Sequence, residues 1–512
     1  MLKLNLSFCC FFLTGITALS AQVANRPTPP LVPPFQFVVH DSAFQGYYLM
    51  TPFRFGINNL SPKPAVILDS KGFVAWYMPV NARNITDFKF NPRWQKYQFV
   101  QFLNPQQVDY VVLDSAFNSV DSFTTVNGIL PDSHDFQISD DGAYSLAGAS
   151  DSIMDLSNYL FNGVPGSANT RVTGFVVQEF DEDHNLLFQW DSNDHIPPTA
   201  GYAFYGYNPG GFDYCHGNSI AEDTDGNLLL SFRHLNAVYK IDRQTGKVLW
   251  QLGGKTSSFS FTNDVGFSGQ HDARRLPNGN IALFDNANMA APPRISRAVE
   301  YELDTVNWVA TKVWEYKYVP GFFSRAMAGH QTTPGRLHAV SYGLVFRPDP
   351  SAVLVDDAGN LITELFFADS VMSYRSYYYD DLPLKNAQRP PIQCSQNGGA
   401  VTLTAPPGYD EYVWSTGETT AGINIQESGA YQVWVNYGAG MLGSEPFSIQ
   451  DINMACPISD VKNINGIDNP TIIGYFDLLG RRIARPEYPE QGGKIYLVQY
   501  ADGRVKLMVN GY

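Results

Sequence analysis

The sequence predicts an all-β chain: a β-propeller, then a small immunoglobulin-like β-sandwich, then a C-terminal β module. Three observations carry this. First, 29 Tyr and 34 Phe suit strands, and 43 Gly with 33 Pro suit many short strands joined by turns. Second, one pattern recurs three times: a histidine, a strand-like stretch, then an acidic or amide residue before glycine. It runs from His134 to Asp141-Gly142, from His216 to Asp225-Gly226, and from His271 to Asn278-Gly279. Asp-Gly and Asn-Gly close tight hairpins because glycine takes the positive φ such turns require. Third, a strand, a polar turn with glycine and a second strand recur at Ala65 to Val74, Ala237 to Trp250 and Ala352 to Ile362. This is the pattern of the outer hairpin of a propeller blade. Blades of about 40–50 residues give six or seven units between Phe37 and Phe367. The uneven spacing of the histidine units leaves a β-sandwich array as the competing architecture.

Taken in order, residues 1–21 read as a signal peptide. Lys3 supplies the positive charge, Leu4 to Ile16 is mostly apolar, and Ala18 to Ala21 is a small-residue cleavage zone. Bulky Phe8 before Cys9 does not fit a lipoprotein box, and no later run approaches the ~20 apolar residues of a membrane span. Residues 22–34 form an entry arm to the propeller, which is placed over 22–382. A linker over Leu382–Pro391 leads to the sandwich at 392–456, where Trp414 sits among alternating strands and Tyr431 lies on a later one. The tail, 457–512, has strands at Ile472–Asp477, Lys494–Tyr500 and Arg504–Val509, with turns at Leu479-Gly480 and Asp502-Gly503. Of the cysteines outside the signal peptide, Cys394 and Cys456 are expected to pair, which leaves Cys215 beside His216. Cys215 is either a reactive thiol or an inert buried one.

The net charge of −15, with no basic stripe, argues against a nucleic-acid partner. The chemistry centres on the three histidines, because propeller strands would bring them to one mouth of a central channel. Imidazole is the side chain best suited to act as nucleophile, acid or base near neutral pH. Arg233, one strand beyond Asp225-Gly226, adds a guanidinium that grips planar oxyanions; an inter-blade ion pair is the other reading. Alternation would place Leu229, Ser231 and Arg233 on one face of that strand, and Leu228, Leu230 and Phe232 on the other. A histidine trio is also a zinc ligand set, but Arg233 would repel a dication and no H-x-E or H-x-H spacing appears. Neither a metal nor a cofactor is therefore expected. No G-x-S-x-G elbow is present for serine chemistry.

The stretch from Cys215 to Ile220, then Ser231 to His234, Trp250 to Gly254 and Gly269 to Asn280 resembles the arylsulfotransferase family. The likeness runs over roughly 50–370 and is most specific at 214–286. It implies a six-bladed propeller with its site in the central channel. The implied reaction is sulfuryl transfer from a phenolic sulfate ester to a phenol, with no nucleotide sulfate donor. Carried over by position, His271 is the nucleophile, and His134, His216, Asn218 and Arg233 hold the sulfate oxygens. Arg325 and His330 stand as further substrate-binding candidates in a region that departs from the pattern. The tail, from Tyr475 to Arg482, Gly493 to Leu497 and Asp502 to Lys506, is similar to the sorting domain of the type IX secretion system. That likeness implies the secretion machinery as a partner and a destination outside the cell or at its surface. A non-catalytic surface propeller that binds an anionic or carbohydrate ligand is the alternative.

Overall fold

The computed structural model describes residues 26–456 except 42, 57–59, 209–210, 398 and 455, and beyond them the strands Ile472–Phe476, Arg482–Ile483, Ile495–Tyr500 and Val505–Val509. The signal peptide and the turns at Leu479-Gly480 and Asp502-Gly503 lie outside the described residues. The chain divides into two units, Met1–Ala455 and Cys456–Tyr512.

Strand dominates the first unit, and each stretch of chain folds back on itself as an antiparallel sheet. The first sheet holds Tyr47–Met50, Ser61–Leu68 and Val74–Ala82, and the second starts at Asn84–Asn91. The third, fourth, fifth and sixth sheets start at Leu130–Ile138, Gly217–Glu222, His271–Arg275 and Gly329–Thr332. Two strands from distant sequence tie the ends together. Phe35–Val39 pairs with Leu361–Phe367 at the outer edge of the sixth sheet. Ser376–Tyr379 pairs with Tyr47–Met50 and so becomes the leading strand of the first. The six leading strands then contact one another in a closed circuit.

Between each pair of neighbouring sheets lies an apolar cluster. Trp76, Phe88 and Phe117 fill one, Tyr110, Phe136 and Leu146 the next, and Phe175, Ile220 and Phe232 the third. The fourth sheet shows why period-two sequence yields this. Leu228, Leu230 and Phe232 pack toward the third sheet, while Leu229 packs toward the fifth, as alternation predicts. The glycine turns also form as read, with φ of +90° at Gly142, +79° at Gly226 and +88° at Gly279.

The leading strands of the second to fifth sheets each carry an irregularity at a matching place: Thr86/Lys89, Pro131/Phe136, Gly217/Ser219 and His271/Arg274. Such bulges re-aim side chains. Here they gather Asp87, Asp135 and Asp272 with Lys89, Arg274 and Arg375. Lys89 Nζ lies 2.8 Å from Asp135, Arg274 lies 2.8 Å from both Asp135 and Asp272, and Arg375 lies 2.9 Å from Asp87. Burial alone would raise the Asp135 pKa, but Arg274, Lys89 and Arg375 hold it well below the usual carboxylate range.

The stretch 382–456 departs from expectation. Leu382 and Leu384 are buried in the first core and Arg389 pairs with Asp69 at 3.2 Å, so the expected linker is packed down. Within 392–456, Gly440–Gly443 pairs with Val74–Ala82 through Met441 to Tyr77 and Leu442 to Trp76. Val433–Tyr437 and Tyr412–Trp414 follow, which widens the first sheet to seven strands. A separate sandwich would have left the long edge strand Val74–Ala82 unpaired, and these strands cover it. Cys394 and Cys456 are disulfide-bonded. In the second unit the four described strands form one antiparallel sheet, near the positions the sequence suggests. No helix among the described residues is long and apolar enough to cross a membrane.

Candidate active site

His134, His216, Arg233, His271 and Arg325 line one cavity of about 410 Å³, together with Ala326, Met327, Leu344 and Tyr374. A larger cleft of about 720 Å³, lined by residues such as Phe261, Met289 and Lys312, holds none of the three histidines. The smaller cavity gathers all three histidines of the repeated pattern with two guanidinium groups, so the chemistry belongs there.

His271 opens the leading strand of the fifth sheet and is 2% exposed. The residue before it fixes its place: Gln270 Nε2 donates to Ser231 Oγ, Phe232 O and Ala237 O of the fourth sheet. The His271 Nδ1 faces Gly269 O at 3.0 Å and Asn286 Oδ1 at 2.7 Å. The Asn286 amide is oriented by its Nδ2, which donates to Ser324 O and Met327 O. Both oxygens facing Nδ1 can therefore only accept, so Nδ1 carries the hydrogen and Nε2 keeps its lone pair. The Met327 N–H, 3.2 Å from Nε2, agrees with that assignment. Burial, then the Arg233 guanidinium, pushes the His271 pKa well below its ordinary value, which keeps the ring neutral near pH 7.

The other two histidines are each backed by a nearby aspartate. His134 donates through Nδ1 to Asp132 Oδ1 at 2.6 Å, and His216 through Nδ1 to Asp213 Oδ2 at 2.5 Å. Each keeps Nε2 for a substrate, and the two rings meet edge to face with centroids 4.8 Å apart. Burial opposes charging His134, but Asp132 outweighs it and the pKa is raised. The cavity thus pairs a neutral imidazole with one that favours its protonated form.

Arg233 begins a short 3₁₀ turn just past the strand Leu228–Phe232, rather than lying within it. Its Nη1 donates to His234 Nε2 at 2.8 Å and its Nη2 to Arg325 O at 3.2 Å, while Nε has no partner. His234 Nδ1 donates to Asp213 O at 2.7 Å. With both nitrogens of His234 engaged, Asp213, His216 and His234 do not fit a metal site although they cluster.

Two expected residues lie elsewhere. Asn218 is fully buried behind the cavity. Its Nδ2 donates to Gln270 O at 2.8 Å and its backbone carbonyl accepts from Arg375 Nη2 at 2.6 Å, so it positions the loop that carries His271. His330 is not at the cavity: it stacks on Trp314 and faces His338 between the fifth and sixth sheets. The sequence reading also missed Asn286, Tyr374 and the two supporting aspartates. Asp132 and Asp213 lie two and three residues before their histidines, a spacing that was visible in the sequence.

Residues 39–345, more than half of the chain, match the model of the family described as Arylsulfotransferase (ASST). No curated protein matches the chain. Among solved structures, a protein of unknown function from Bacteroides caccae is similar at 11% identity and TM-score 0.42, covering 66% of this chain and 100% of its own. The β-propeller domain of Cps50 (Swd1) from Myceliophteria thermophila is similar at 10% identity and TM-score 0.33, covering 76% and 98%. The periplasmic gluconolactonase PpgL of Pseudomonas aeruginosa is similar at 12% identity and TM-score 0.34, covering 78% and 96%. Likenesses this distant say nothing about chemistry. The family match does, since His134, His216, Arg233, His271 and Arg325 all fall inside it, and the chain belongs to the arylsulfotransferase family.

Proposed function

We propose that this chain moves a sulfuryl group from a phenolic sulfate ester to a phenolic acceptor by way of a sulfohistidine at His271. The observation that carries the reading is the His271 ring: neutral, buried, its Nδ1–H held by two oxygens, with Nε2 as the free base. In the first half-reaction the Nε2 lone pair attacks sulfur, the N–S bond forms and the aryl O–S bond breaks. The departing oxygen takes a proton from His134. Arg233 and Arg325 face the sulfuryl oxygens, and the Met327 N–H turns from Nε2 to one of them. In the second half-reaction the acceptor phenol returns a proton to His134, its oxygen attacks sulfur, and the lone pair goes back to Nε2.

The wider organisation completes the proposal. The six sheets are the blades of a propeller, and 392–456 is an immunoglobulin-like annex fused to the first blade. The second unit directs the chain through type IX secretion to the cell surface or beyond. Initial rates with 4-nitrophenyl sulfate and phenol, and no added nucleotide, test the reaction. Parallel double-reciprocal lines are expected; intersecting lines would mean direct transfer, and no turnover with any aryl sulfate would favour an anion-binding propeller.

A further inference from the structure

His330 belongs to a second cluster, remote from the cavity. Glu300 lies on Arg297–Asp304 of the fifth sheet, His330 and Thr332 on Gly329–Thr332, and His338 on His338–Ser341 of the sixth. Glu300, His330 and His338 are all 0% exposed. Four heteroatoms converge there. His330 Nε2 is 3.1 Å from His338 Nδ1, and Thr332 Oγ1 is 3.4 Å from the first and 3.3 Å from the second. Glu300 Oε1 is 3.3 Å from Thr332 Oγ1 and 3.5 Å from His338 Nδ1.

Hydrogen bonding accounts for only part of this convergence. His338 donates through Nε2 to Asp357 Oδ1 at 2.9 Å, so its Nδ1 is a bare lone pair, and Glu300 Oε1 only accepts. Two hydrogens are left, on the Thr332 hydroxyl and one His330 nitrogen. They can pair Thr332 with Glu300 and His330 with His338, which leaves three further approaches of 3.3–3.5 Å with no hydrogen between them. Five of the six separations lie between 3.1 and 3.5 Å, and the sixth, Glu300 to His330, is within 4.8 Å. A tetrahedron with edges of about 3.3 Å has its centre about 2.0 Å from each corner, close to the bond length of zinc to imidazole nitrogen or carboxylate oxygen.

We propose that Glu300, His330 and His338 bind one zinc ion that clamps the fifth sheet to the sixth, with the fourth position beside the Thr332 hydroxyl taken by it or by a water. Asp357 behind His338 is the carboxylate that orients a metal-bound imidazole. Trp314 stacks on the same ring with centroids 3.7 Å apart and fixes its plane. Arg336 touches Glu300 at 3.2 Å, but it also pairs with Asp357 at 2.8 Å. Two carboxylates against one guanidinium leave the empty cluster negative and suited to a dication. His330 and Thr332 also line a cleft of about 290 Å³, through which an ion can enter and a water can replace the Thr332 hydroxyl.

The test uses the full chain purified without a histidine tag, stripped with chelator and loaded with zinc or cobalt alone. One zinc per chain should survive desalting, and cobalt should give the intense visible bands of a tetrahedral site. Both should be lost in His338→Gln and Glu300→Gln and kept in His216→Ala. Asp357→Asn leaves the ligands intact and should weaken zinc retention about 10- to 100-fold, so the proposal stays testable if a ligand variant misfolds. Wild type that retains no zinc and shows no cobalt band would overturn it. Bands unchanged by Glu300→Gln and His338→Gln, or lost only in His216→Ala, would overturn it too.

Discussion

Replacing Asn286 with leucine keeps the side chain's bulk but removes the oxygen 2.7 Å from His271 Nδ1. In the resting enzyme the loss is partial, because Gly269 O at 3.0 Å still accepts from the same N–H. The transition state differs. As sulfur bonds to Nε2 the ring becomes an imidazolium, and the Nδ1–H to Oδ1 bond becomes charge-assisted. Such bonds contribute about 1.5–3 kcal/mol against about 0.5–1.5 for neutral ones, a difference of about 1–1.5 kcal/mol. That corresponds to about 5- to 13-fold in kcat, and a tilt of the freed ring extends it toward about 100-fold. KM for 4-nitrophenyl sulfate should stay within about twofold, since Asn286 does not line the cavity. Steady-state kinetics beside a melting curve measure both quantities. A variant with lowered Tm but kcat unchanged within about twofold would refute the argument, because Asn286 would then be holding the loop at Ser324 and Met327 and nothing more.

Three further outcomes follow from the same geometry. His134→Gln should slow the first half-reaction, read as single-turnover phenol release without acceptor, by about 10²- to 10⁴-fold for unsubstituted phenyl sulfate but barely affect it for 4-nitrophenyl sulfate, whose leaving group needs no proton. Because the His134 pKa is raised, the wild-type single-turnover rate with phenyl sulfate should hold below that pKa and fall above it, and the variant profile should be flat; equal losses with both donors would remove His134 from the acid role. Arg233→Met should lower kcat by about 10²- to 10³-fold in stopped assays, as expected for a lost oxyanion donor, whereas an unchanged kcat would leave Arg233 as packing on Tyr205. Burial raises the Cys215 thiol pKa, so native protein should resist iodoacetamide and Cys215→Ala should retain activity; alkylation as fast as a free thiol would contradict this.

Local chemistry made much of this readable in the sequence. Glycine after Asp141, Asp225 and Asn278 marks a turn wherever it stands, and alternation from Leu228 to Phe232 assigns both faces of a doubly buried strand. The three histidines were legible for the same reason, since each recurs at the head of such a unit. Long-range pairing was not readable. Nothing near Ser376–Tyr379 shows that it leads the first sheet, and nothing near Gly440–Gly443 shows that it covers Val74–Ala82. His330 was misplaced because its stretch departs from the histidine pattern and gives no face, and its strand Gly329–Thr332 turns the ring onto Trp314 of the fifth sheet. Asn286 carries no signal of its own, because its role comes from a ring reached across the strand pairing of His271 with Phe284.

The central claim is a covalent bond between sulfur and His271. Intact mass and peptide mapping after brief exposure to 4-nitrophenyl sulfate without acceptor address it directly. The account predicts one acid-labile sulfuryl group per chain, mapped to the peptide carrying His271, absent in His271→Ala, and discharged by added phenol. Release of nitrophenol by wild type with no adduct, or an adduct that persists in His271→Ala, would contradict it.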